Sequence, residues 1–180
     1  MRERPEEPLS RPGGLDTKCY NIYCRSMPSA LQAEIKQTRP FPSRAAEALL
    51  SILRTAALLD HQLSEALKPY GLTLTQYNVL RILRGAGSTG LCGREIAERL
   101  VARVPDVPRL VERLEAMRLI QRERDSADRR HVTARITAKG LKLLDEVVPA
   151  VDAVEQARLG RLSSRTLDTL IEGLAAVRGA

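Results

Sequence analysis

Seven of the nine residues from Arg122 to Arg130 are charged, and an alternating run, Val132, Ala134 and Ile136, follows at once. A guanidinium presents a planar fork of donors that two neighbouring acceptors can fill together. Grouped arginines therefore suit a phosphate, a carboxylate or the two-acceptor edge of a base. Arg129 and Arg130 close the charged run with Asp128 before them, and Arg124 lies near its start. Upstream, Arg109 and Arg113 are four residues apart, the spacing that sets two side chains beside each other on a helix. Arg94 and Arg103 add two further cations at positions suited to phosphate. This is chemistry of binding rather than of bond-making. The chain has no glycine-rich phosphate loop, no G-x-S-x-G, no H-E-x-x-H and no paired carboxylates in a cleft-forming context, so no enzyme is expected. His61 and His131 lack metal-ligand spacing, and neither a metal nor a cofactor is expected.

The charge is uneven along the chain. The net charge of the 180 residues is +7. Residues 91–142 hold 13 Lys+Arg against 8 Asp+Glu, whereas residues 143–180 hold 4 against 6. The positive field therefore lies over the middle of the chain, the footprint of a nucleic-acid-binding face. No run approaches the roughly 18 apolar residues that span a bilayer, and MRERPEEPLSRPGG lacks the apolar core of a secretory signal. Cys19, Cys24 and Cys92 imply no disulfide framework, which favours a reducing cytoplasm. An oxidation switch at Cys19 and Cys24, or a reactive Cys92 at a helix start, is the minor alternative to small residues filling space.

Six of the ten prolines lie in residues 1–42, and this arm is expected to be mostly irregular, with its first 26 residues carrying no function. From Ser43 the texture changes: Leu49, Ile52, Leu53, Ala56, Leu59, Leu63 and Leu67 form one helical apolar stripe, stopped by Pro69 and Gly71. Thr73 and Gln76 form a capping box that opens a second helix, TQYNVLRILR. REIAERLV gives a third helix at about 94–101. A fourth is expected over 105–118, since proline is tolerated in a first turn. Val107, Leu110, Val111, Leu114 and Met117 form its apolar face; Arg109, Glu112 and Arg113 oppose them, with Asp106 at the flank. Strands are expected at Leu119–Arg124 and around Val132–Ile136. Thr137 caps a long helix to about 157, with a bend at Pro149, and Ser163 or Ser164 caps a last one.

The predicted fold is mainly α with a small β-hairpin: two helices on a tight connection, then two strands, make a winged helix-turn-helix. In that class the second helix of the pair lies in the major groove. Arg109 and Arg113 would face base edges, and Arg129 and Arg130 would stand at the tip of the wing, where an arginine can enter the narrow minor groove. Asp128 would hold a neighbouring guanidinium in one pose. GLTLTQYNVLRIL and AERLVARVPDVPRLVERLEAMRLIQRERDSADRRHVTARITAKG resemble the second helix, helix-turn-helix and wing of MarR-type transcriptional regulators, most specifically in Asp128-Arg129-Arg130 followed by ITAKG. The resemblance covers about residues 43–178.

It implies a winged lobe over 72–137 between dimerisation helices at 43–69 and 138–178. It also implies a homodimer that reads a palindromic operator in double-stranded DNA, acts as a repressor of nearby genes, and is released by a small-molecule, commonly phenolic, or oxidant signal. Tyr70 and Tyr77 lie where such an effector pocket would form, although half-buried tyrosines fill such places routinely. One departure is plain: Pro105-Asp106-Val107-Pro108 stands where many relatives carry small hydroxyl residues, and two prolines cannot donate. Two rival readings remain beside it, a protein that coats DNA without sequence preference and a winged module that binds another polypeptide. The mild charge of +7 disfavours the first.

Overall fold

The computed structural model describes residues 29–124 and 132–179, in two compact units that divide after Leu53. Asp128, Arg129, Arg130, His131, Cys19 and Cys24 lie outside the described residues. In the first unit Ser29 caps a short helix, α1 (Ala30–Glu34), its hydroxyl accepting the Gln32 amide at 3.3 Å. Residues 30–34 were expected to be irregular. A side-chain cap followed by ALQAE, a run of good helix formers, accounts for the difference. The Ser43 hydroxyl accepts from the Ala46 amide at 3.1 Å and opens α2 (Arg44–Leu67).

In the second unit the capping box forms as its sequence demands. Thr73 Oγ1 accepts from the Gln76 amide at 3.2 Å, and Gln76 Oε1 accepts from the Thr73 amide at 2.9 Å. The helix it opens, α3 (Leu74–Ala86), sends Val79, Leu80 and Leu83 into the core. Next come α4 (Gly93–Arg99) and α5 (Val107–Ala116), then α6 (Ala138–Leu159), which runs on through Pro149, and α7 (Ser164–Arg178). Thr137 and Ser163 cap the last two, accepting from the amides of Gly140 and Thr166 at 3.1 and 3.2 Å. Ile96, Val107, Val111, Leu114, Leu119, Ile120, Ala134, Leu144 and Val147 join the α3 residues in one apolar cluster. Each fully buried leucine there contributes about 1.5–3 kcal/mol over an exposed one.

The sheet carries one strand more than the expected hairpin. β2 (Ile120–Arg124) and β3 (Val132–Ile136) pair antiparallel, with Arg122 opposite Ala134, and β1 (Leu91–Cys92) adds to the free edge of β3 to give the order β1-β3-β2. Gly90 makes that addition feasible. Its φ is +67°, and a Cβ there would stand 2.6 Å from the Ala134 carbonyl oxygen. A two-residue strand has no readable periodicity, so nothing in the local pattern announces it.

Candidate nucleic-acid interface

The helix-turn-helix is α4, a turn from Leu100 to Asp106, and α5. Asn78 on α3 holds the turn, its side-chain oxygen accepting from the Val101 amide at 3.1 Å. Sequence reasoning missed Asn78, because its partner lies 23 positions away. α5 starts at Val107, two residues later than expected, because Asp106 is its N-cap: the carboxylate accepts from the Arg109 amide at 3.0 Å. Pro105 therefore precedes the helix and Pro108 sits in its first turn, where the missing N–H leaves no bond unmade. Asp106, expected among the DNA-facing residues, is exposed in the turn and caps the helix through one carboxylate oxygen, Oδ1.

Val107, Val111 and Leu114 are buried while Arg109, Glu112 and Arg113 are exposed, so the two faces of α5 fall as the periodicity predicts. Within-helix pairing of Arg109 and Arg113 with Glu112 and Glu115 would have satisfied both arginines. The carboxylates point elsewhere. Glu115 takes Arg122 on β2, with Nε to Oε2 at 2.7 Å and the Arg122 amide to Oε1 at 3.3 Å, and Glu112 lies 3.7 Å from the same guanidinium. Hydrogen bonding from Arg122 is the main cause that holds the Glu115 carboxyl below its usual pKa range. Among the described residues neither Arg109 nor Arg113 takes part in an ion pair. Together with Thr73, Thr75 and Pro105 they line an open groove of about 320 Å³.

Arg103 is exposed in the turn. Arg94, also exposed, lies against Glu98 on its own helix, Nε to Oε1 2.9 Å. Arg124 ends β2 opposite Val132. On β3, Arg135 pairs with Glu123 and donates from Nε to the Ser88 carbonyl at 2.7 Å, which ties the strand to the turn before β1. Two strand arginines thus act as internal braces, and neither was singled out from the sequence, because both partners are non-local in the chain. Tyr70 is half-buried against the core, and Tyr77 is only 7% exposed with its hydroxyl accepting from Arg81 at 2.9 Å. Tyr77 is therefore a core residue whose phenol already has a partner. Cys92 precedes α4, its amide donating to Glu95 Oε2 at 2.8 Å. Among the described residues no three His, Cys, Asp or Glu side chains are grouped to hold a metal ion, and no helix is long and apolar enough to cross a membrane.

Comparison with known proteins agrees with this architecture. The model of the transcriptional regulator SarA/Rot family matches residues 62–147. The HTH-type transcriptional repressor Rv2887 of Mycobacterium tuberculosis is 31% identical over 126 residues, 68% of this chain and 89% of the relative. A MarR transcription factor from Planctomyces limnophilus superposes with a TM-score of 0.60 at 34% identity, over 76% of this chain and 99% of that one. Sco3205, a MarR family regulator of Streptomyces coelicolor crystallised in complex with DNA, gives a TM-score of 0.69 at 26% identity, over 79% and 91%. The chain belongs to the MarR family of winged-helix transcriptional regulators.

Proposed function

We propose that this regulator is a homodimeric repressor that reads an inverted repeat in duplex DNA with Arg109 and Arg113 of α5. The observation that carries the reading is the pair of guanidinium groups, without an ion-pair partner among the described residues, on the exposed face of the second helix of a helix-turn-helix, with the nearby carboxylates drawn toward Arg122. Two forks four residues apart on one helix suit guanine N7 and O6 on neighbouring base pairs. Arg103 and Arg124 add phosphate contacts, Arg94 does so in exchange with Glu98, and Arg129 and Arg130, braced by Asp128, enter the minor groove from the wing tip. Asp106 serves this surface indirectly, by fixing the first turn.

A small-molecule or oxidant signal then acts by binding one dimer geometry better than the other. With Tyr77 engaged by Arg81, Tyr70 is the more available phenol for such a ligand. The test is quantitative binding of a selected operator by Arg109→Ala and Arg113→Ala. Each is expected to weaken specific binding by about 1–3 kcal/mol and to relax preference at one base pair. Unchanged affinity and unchanged preference in both variants would move base reading off α5.

A further inference from the structure

We propose that Arg122 is a positioning residue for DNA reading: it fastens the wing strand to the recognition helix through Glu115 and partly offsets the charge of that helix's two carboxylates. The inference rests on the DNA-binding reading above.

Glu112 and Glu115 are three apart on α5, and Arg122 is the third residue of β2, beyond the turn at Arg118 and Leu119. Glu115 receives both the backbone amide and the guanidinium of Arg122, one on each oxygen. The remaining side of the guanidinium faces Glu112 at 3.7 Å. A two-point attachment of this kind fixes direction as well as distance, because the Glu115 carboxylate cannot rotate without losing a bond. The rigid link spans only seven residues of sequence, yet it joins the two elements whose relative angle decides whether helix and wing can enter adjacent grooves together. The far side of the sheet is tied in the same manner, by Arg135 to Glu123 and to the Ser88 carbonyl.

Charge gives the second half of the role. A free carboxylate on α5 would lie within a Debye length, about 8 Å, of any phosphate the helix approaches. Held against Arg122, the two carboxylates present one net negative charge in place of two. Arg122 itself is then neutralised and adds nothing to counterion release. This separates it from Arg109 and Arg113, which carry no such partner among the described residues.

The experiment is a cycle of operator affinities, each measured across a salt series, for the wild-type protein, Arg122→Ala, Glu115→Gln and the double variant. The decisive member is Glu115→Gln, which is nearly isosteric and removes a negative charge from a DNA-binding surface. Simple electrostatics predicts tighter binding; the clamp predicts operator binding looser by at least threefold. Arg122→Ala is expected to lose at least tenfold in the wild-type background and less than threefold when Glu115 is already Gln. Its salt slope should match that of the wild type. A Glu115→Gln variant that binds its operator as well as or better than wild type overturns the proposal. So does an Arg122→Ala variant that loses one unit of salt slope equally in both backgrounds, since that is the mark of a direct phosphate contact. Wild-type protein that binds no duplex at low salt would overturn the DNA reading itself, a result distinct from either.

Discussion

One carboxylate oxygen of Asp106 caps the recognition helix, and the first turn of that helix depends on it. An N-cap aspartate satisfies an amide that helix geometry leaves orphaned and faces the positive end of the helix dipole. Replacing Asp106 with Ala should therefore cost about 1 kcal/mol of stability, read as a lower midpoint in thermal or urea unfolding. A variant as stable as wild type would return Asp106 to the role of a free surface group. A few residues on, Arg118 occupies φ +60°, the left-handed position that glycine usually takes after a helix. It stays there because the turn is over-determined: its amide donates to the Glu115 carbonyl at 2.7 Å and its own carbonyl accepts from Thr137 Oγ1 at 2.8 Å. Those two bonds deliver Arg122 to Glu115.

The start of α6 packs closely on the turn that follows the recognition helix. Thr137 caps α6 while its hydroxyl donates to Arg118, and Lys139 Nζ donates to the Met117 carbonyl at 2.9 Å. Gly140 permits this closeness, since a Cβ there would meet the Leu119 carbonyl oxygen at 2.2 Å. Gly140→Ala should force backbone apart at a point that links α5, β2 and α6, costing about 1–3 kcal/mol in unfolding measurements; a neutral result would mean that the junction is slack. The sequence made helices and their caps legible, because Thr73, Thr137 and Ser163 each act on the amide three residues away. The faces of α5 were equally plain from the spacing of Val107, Val111 and Leu114. What stayed hidden is non-local. The two-residue β1 needs Gly90 against Ala134 across the sheet, and Arg122, Arg135 and Asn78 find partners that no periodicity encodes. The start of α5 was misplaced for a local reason: two prolines fit a first turn, but the better cap lies between them.

At the scale of the molecule, apolar surface is left uncovered on the terminal helices. Leu49 and Leu53 on α2 are 58% and 56% exposed, and Leu170, Ile171 and Val177 on α7 are also exposed. Stripes of this kind at helical spacing suit another helix, which in the homodimer proposed above would come from a second copy of the chain. A dimer would also set two recognition helices about one DNA turn apart, roughly 34 Å, which is what makes an inverted repeat readable. The net charge of +7 supports attraction to DNA without the dense basic surface of a coating protein. Selection of genomic fragments by the purified protein at near-physiological salt, followed by sequencing of the bound DNA, tests this most directly. The expected result is a small set of enriched sites that share an inverted repeat with half-sites about 10 base pairs apart, centre to centre. Broad recovery of fragments with no common motif would contradict sequence-specific regulation.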